Sequence, residues 1–253
     1  MCEFACLVPS EYGLVIVNQN DSNQFASLQE AGRSLDHEDI VFLSDLVPQL
    51  PPNPVIMDVG ANYGLYTLAL GKAAEKVGGK VISIEGQRIL SYMVKGSVAL
   101  NSLTNVYCYN VVLGAERGRL NIPQYNYRQA GSFGSVEFDK TSSDVGQQRL
   151  PDTPDEQVEV VTLDNFNLDR LDLLKMDIEG MEIAALGGGI PTLGRCKPLI
   201  WVEWLKSNRA HLLEVLKALN YNVYEHGWDF FCIPAEQYGE LQNSLNWHCL
   251  LKQ

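Results

Sequence analysis

The chain has 253 residues, 46% of them apolar and 20% charged, enough to bury a core without metal or disulfide staples and sized for one α/β domain with additions. Thirty-one acids stand against 19 Lys and Arg, a formal charge of −12. Coating DNA or RNA requires clustered cations that displace phosphate counterions, and anionic lipid selects for the same clusters, so neither nucleic acid nor membrane is expected as a partner.

The N-terminus reads Met-Cys-Glu-Phe-Ala-Cys, with an acid where a secretory signal carries a base. No run reaches the roughly 20 apolar residues of a membrane span, and a cytoplasmic location is the default expectation. The 6 cysteines are scattered without a C-x-x-C pair, a pattern of reduced, mostly buried thiols rather than zinc ligands. Residues 1–54 read as an N-terminal extension. Residues 14–17 are strand-like, 18–23 form a polar turn, and from Asp36 the apolar Ile40, Val41, Leu43, Leu46 and Val47 recur at helical spacing. Pro48, Pro51, Pro52 and Pro54 then stop the helix and stiffen the connector.

Residues 55–234 read as the main domain. Strands at 55–57, 81–84 and 106–109 alternate with helices marked by Leu65, Leu68, Ala69 and Ala73 and by Ile89 through Val98. Continuous apolar strands between helices predict a Rossmann-like α/β fold whose mostly parallel sheet is covered on both faces. Residues 114–157 break the rhythm with Gly, Ser, Gln, Tyr, Asp and Pro, and only 119–122 and 135–138 are strand-like. This stretch reads as an insertion or lid at the carboxyl edge of the sheet. Further strands are predicted at 158–162, 171–176 and 199–202, then a helix over 209–219 and a closing antiparallel hairpin of 221–225 with 228–233. Residues 235–253 form a C-terminal tail.

The first strand of this domain ends in Asp58-Val59-Gly60-Ala61-Asn62-Tyr63-Gly64 and runs into a helix. A glycine-rich strand-to-helix turn is generic to nucleotide-binding folds. Here the spacing is Gly60-x-x-x-Gly64 rather than G-x-G-x-x-G, and Asp58 stands where a pyrophosphate would lie. A carboxylate there repels phosphates and welcomes an ammonium or sulfonium. Glu85 ends the second strand, in the place of an acid that accepts hydrogen bonds from ribose hydroxyls. Together these features predict S-adenosylmethionine as cofactor.

The chain resembles the FkbM-family methyltransferases. The resemblance rests on residues 57–67, on Thr162-Leu163-Asp164, on Lys175-Met176-Asp177-Ile178-Glu179-Gly180-Met181-Glu182, and on Leu186-Gly187-Gly188 and Lys197-Pro198 leading to Glu203. It covers roughly residues 54–234 and is silent over the first 50 residues and 121–157. It implies a class I methyltransferase fold and O-methylation of a hydroxyl on a small molecule, sugar or natural product. Cofactor contacts are implied at Asp58, Gly60, Ala61, Asn62, Tyr63, Gly64, Tyr66, Thr67, Glu85, Gly86 and Asp177, with Asn110 and Val111 meeting the adenine.

The strand from Leu173 runs into Lys175, Asp177 and Glu179, which share one face if extended geometry continues that far. Charges at the carboxyl end of such a strand sit where these folds bind ligands. Asp177 is predicted to position or deprotonate the acceptor, with Lys175 and Glu179 holding it. No metal is predicted, although Asp177 and Glu203 offer two ligands to a divalent cation. His37, His211 and His226 read as surface or structural. Trp201 and Trp204 read as core before pocket wall, and Tyr125, Tyr127, Ser132, Phe133 and Ser135 are candidate substrate contacts. The competing readings are a nicotinamide-dependent oxidoreductase or epimerase, opposed by Asp58 and the missing third glycine, and a catalytically silent cofactor-binding module. A homo-oligomer stays open.

Overall fold

The computed structural model describes residues 3–134, 150, 152–237 and 251–252. The first elements are a hairpin of β1 (Ala5–Ser10) and β2 (Gly13–Asn18), then α1 (Gln24–Ala31) and α2 (His37–Leu46). There follow β3 (Val55–Val59), α3 (Leu65–Glu75), β4 (Lys80–Ile84), α4 (Arg88–Leu100) and β5 (Val106–Tyr109). A small three-stranded sheet uses β6 (Val112–Leu113), β7 (Gly118–Ile122) and β8 (Glu156–Val161), in the order β6-β8-β7. The chain then forms β9 (Leu173–Met176), α5 (Glu182–Gly187), α6 (Ile190–Cys196), β10 (Leu199–Glu203), α7 (Arg209–Ala218), β11 (Tyr221–His226), β12 (Asp229–Pro234) and β13 (Leu251–Lys252).

The main sheet has the order β13-β11-β12-β10-β9-β3-β4-β5. From β5 to β10 every pairing is parallel, and β12 lies antiparallel between β10 and β11. The mostly parallel sheet with its closing hairpin is the architecture that the sequence predicts. Successive side chains of a strand point to opposite faces, and the core divides accordingly. Ile56, Val81, Leu173 and Trp201 pack with α2, α3 and α4, while Met57, Ile82, Leu174 and Val202 pack with α5, α6 and α7. Among the described residues, no helix is long and apolar enough to cross a membrane.

The N-terminal elements are built onto the first face. The Leu14 N–H donates to Asn101 Oδ1 (3.0 Å) and the Ile16 N–H to Ser97 Oγ (2.8 Å), so side chains of α4 and of its C-cap Asn101 satisfy β2 backbone that would otherwise be unpaired. Val15 and Val17 are fully buried beneath. Neither β1 nor α1 carries a clear periodic signal, and the sequence pattern does not show them. Residues 114–157 are less irregular than their composition suggests, because Gly118–Ile122 pairs antiparallel with Glu156–Val161. The strand-like piece at 135–138, Ser135 and most of the C-terminal tail lie outside the described residues.

Candidate functional site

The carboxyl ends of β3, β4, β9 and β10 meet at one edge of the sheet. Register places Asp58 opposite Lys175 and Val59 opposite both Ile84 and Met176. Beyond β3 the chain turns sharply, and the N–H groups of Gly60 and Ala61 donate to the Ile84 carbonyl at 2.9 and 3.0 Å. Gly60 has a φ of 80°, and a Cβ there would fall 1.7 Å from the Asp177 carbonyl oxygen, so glycine is required on both counts. Gly64, also left-handed at φ 84°, caps the start of α3.

Two adjoining cavities open at this edge. The larger, about 520 Å³, is lined by Gly60, Asn62, Glu85, Gly86, Gln87, residues 111–113, Gly134, Asp177, Glu179 and neighbours. The smaller, about 300 Å³, lies across the Gly60–Asn62 turn between Tyr66, Lys175 and Asp177 on one side and Gln24, Ser34 and Asp36 of the N-terminal elements on the other. Gly60, Asn62 and Asp177 border both.

Glu85 is buried between two backbone donors. The Asn62 N–H reaches Oε2 and the Gln87 N–H reaches Oε1, each at 2.8 Å. Burial raises its pKa to about 7, against the lowering effect of those two hydrogen bonds. Each oxygen keeps a lone pair for a ligand. The Asn110 amide donates to the Glu85 and Gly86 carbonyls, both at 2.8 Å, and so holds the strand end from behind, while Val111 lines the larger cavity.

Asp58 lines neither cavity. It is fully buried, accepts a hydrogen bond from Thr67 Oγ1 (2.5 Å) and faces Lys175 Nζ at 3.5 Å. Its charge is therefore met inside the protein, and Thr67 belongs to that buried network rather than to a cavity wall. Lys175 is 3% exposed and donates to the Gly60 carbonyl at 3.1 Å. Burial pulls its pKa down, but Asp58 and then Asp177 at 4.0 Å overcome this and hold it above the ordinary value. Its ammonium also lies 4.7 Å from the centroid of the Tyr66 ring. Tyr63 lines the smaller cavity, and its hydroxyl donates to Asp21 at 3.0 Å. Ala61 is buried in the wall of the smaller cavity.

Strand β9 stops at Met176, so Lys175, Asp177 and Glu179 are not brought together by continued alternation. Glu179 has φ 59° and Gly180 φ 104°, and Glu182 clamps this turn by accepting the N–H groups of Ile178 (2.9 Å) and Gly180 (3.1 Å). The turn gathers carboxylate oxygens of Asp177, Glu179 and Glu203 within 4.8 Å of one another, a third acid beside the pair visible in the sequence. Lys206 pairs with Glu179, and the Asp177 side chain remains 39% exposed. Burial, then mutual repulsion, lifts these acids: Glu179 to about 7, Glu203 to about 9 and the adjacent Asp229 to about 8. Asp177 is also raised, by burial, with Lys175 opposing. Such a group can exchange protons near neutrality, and it can accommodate positive charge.

Of the other residues weighed, Trp201 is 2% exposed in the core, and His226 pairs with Asp39 at 3.2 Å. Tyr125, Ser132 and Phe133 are buried, and Tyr127 lines a separate cavity of about 410 Å³ under β7 and β8. Gln87, Gly134 and the three N-terminal side chains escaped the sequence reading, because nothing in local spacing marks them.

Residues 58–225 match the family described as the methyltransferase FkbM domain, and the chain belongs to that family. It is 27% identical over 164 residues to Methyltransferase sdnD of Sordaria araneosa, covering 56% of this chain and 62% of that protein. Methyltransferase 1 of Beauveria bassiana (strain ARSEF 2860) is 28% identical over 156 residues, covering 57% and 61% respectively. The chain thus spans about three fifths of the length of the curated relatives it matches. The crystal structure of Methyltransferase FkbM from Methylobacillus flagellatus KT is similar in fold, with a TM-score of 0.50 at 18% identity, over 72% of this chain and 43% of that one.

Proposed function

We propose that the chain is an S-adenosylmethionine-dependent methyltransferase that methylates a hydroxyl of a small-molecule, sugar or natural-product acceptor. The supporting observation is the charge of the larger cavity: its ionisable lining is Glu85, Asp177 and Glu179, with no Lys, Arg or His among the described residues that form it. Two phosphates of a nicotinamide dinucleotide would meet an acidic lining with no cation in it, whereas a phosphate-free ligand carrying an ammonium and a sulfonium favours the ionised form of these acids. Asp58 adds nothing to this discrimination, because Lys175 already neutralises its carboxylate.

The residues fit the cofactor. Glu85 has lone pairs for two ribose hydroxyls, the apolar residues Val111, Val112 and Leu113 offer a wall for the base, and Asn62 Oδ1 is buried without a hydrogen-bond partner. The smaller cavity combines Asp36 and Asp177 with the Lys175 ammonium, a mixed-charge lining suited to an α-amino acid end. When bound, the cofactor supplies a methyl group activated by its sulfonium. Asp177 accepts the acceptor's hydroxyl proton, for which its raised pKa suits it, and Lys175 keeps its carboxylate in place. Glu179, raised to about 7, stands beside it as a further group able to exchange a proton, while Glu203, raised to about 9, keeps its proton at neutral pH and can donate a hydrogen bond.

Calorimetry tests the reading. S-adenosylhomocysteine is expected to bind at micromolar strength, about −8 kcal/mol, and NAD not at all. Tight NAD binding with no response to S-adenosylhomocysteine would refute it.

A further inference from the structure

We propose that Asp21, which lies outside the family-matched span 58–225, is a positioning residue for the cofactor cavity and acts on it through Glu85. The proposal rests on the cofactor reading above. Asp21 is 3% exposed, and its carboxylate accepts four hydrogen bonds. Oδ1 takes the N–H groups of Asn23 (3.0 Å) and Gln24 (2.8 Å) and so fixes the start of α1. Oδ2 takes the Tyr63 hydroxyl (3.0 Å) and the Phe133 N–H (3.2 Å).

Those last two bonds lead to Glu85 by separate routes. Tyr63 follows Asn62, whose N–H holds Glu85 Oε2. Phe133 gives its carbonyl to the Gln87 side-chain amide at 2.6 Å, and the Gln87 N–H holds Glu85 Oε1. Each oxygen of Glu85 is thus held by a backbone donor whose own residue or neighbour is tied to the same distant carboxylate. The next residue, Gly134, lies against the Asn62 side chain, so closely that a Cβ there would fall 2.2 Å from the side-chain nitrogen Nδ2. The Ser22 N–H to Gly131 carbonyl bond (3.0 Å) and the Gly131 N–H to Asn20 carbonyl bond (3.1 Å) keep the two segments together. Three stretches far apart in sequence, around residues 21, 63 and 133, therefore converge on one buried acid. With four donors the buried carboxylate is fully satisfied, and such a network fixes the geometry of the groups that it joins.

The experiment is calorimetric titration with S-adenosylhomocysteine, well below the unfolding temperature, of the full chain, Asp21→Asn, Glu85→Gln and the double variant. Asp21→Asn preserves volume but turns an amide toward donors that need an acceptor. Its dissociation constant is expected to rise about tenfold, the effect of losing one charge-assisted hydrogen bond. In the Glu85→Gln background the same change should have at most a twofold effect, because the group it positions has been altered. A purely structural role would lower the melting temperature while leaving the affinity of the folded protein intact. Unchanged affinity, or an equal loss in both backgrounds, overturns the proposal. If Asp21→Asn does not fold, Tyr63→Phe carries the same comparison, with a smaller rise of about threefold expected and the same two overturning results. Failure of the unaltered chain to bind S-adenosylhomocysteine overturns the cofactor reading and this role with it, a result distinct from binding that is indifferent to Asp21.

Discussion

Lys175 lies between two carboxylates, Asp58 at 3.5 Å and Asp177 at 4.0 Å, and the difference in their surroundings separates their roles. Asp58 is fully buried and has no access to a ligand, so its charge serves the lysine. Asp58→Asn leaves a buried cation with its nearer partner gone, and urea unfolding should show a loss of about 3–5 kcal/mol. Asp177 faces the cavity, and removing its charge still leaves Lys175 opposite Asp58. Asp177→Asn should therefore keep the melting temperature within a few degrees while turnover of the true acceptor falls about 10²–10⁴-fold. Near-normal turnover in that variant would remove Asp177 from the mechanism. Equal destabilisation by both substitutions would contradict the division drawn here.

At the scale of elements, what could be read in advance was local. The strand, the Gly60-x-x-x-Gly64 turn and the helix after it occupy consecutive residues, and apolar periodicity with glycine spacing marks all three. Glu85 was legible for the same reason, as the residue that directly follows an adjacent strand. The turn after β9 was not, since period-two alternation carries no sign of a left-handed Glu179, and Glu182 imposes it through hydrogen bonds that form only once the chain has turned. The short α1 was hidden because its start depends on Asp21, and Asp21 is satisfied by partners 42 and 112 residues away. Tertiary contact decides such elements, and propensity does not report it.

The molecule as a whole has a formal charge of −12 and concentrates several acids at one edge of its sheet, where burial raises their pKa values. An acid that holds its proton more tightly when folded gives the folded state more bound protons than the unfolded one, so stability must fall as pH rises. For Glu203 the window opens at the ordinary glutamate value of 4.5 and closes at about 9, and Glu85 and Glu179 add to it up to about 7. The denaturation midpoint should decline steadily from pH 5 to pH 9, and Glu203→Gln should flatten its upper half. A midpoint that rises over this range would contradict the protonation states assigned to the cluster. The pairing of β3 with β9 has a different consequence, one of timing. The Val55 N–H donates to Asp172, 117 residues further along. A growing chain thus exposes the apolar edge of Val55–Val59 to its surroundings until that distant partner has been made. During this interval the strand is a template for any other extended segment, and only afterwards does the cleft acquire its second wall.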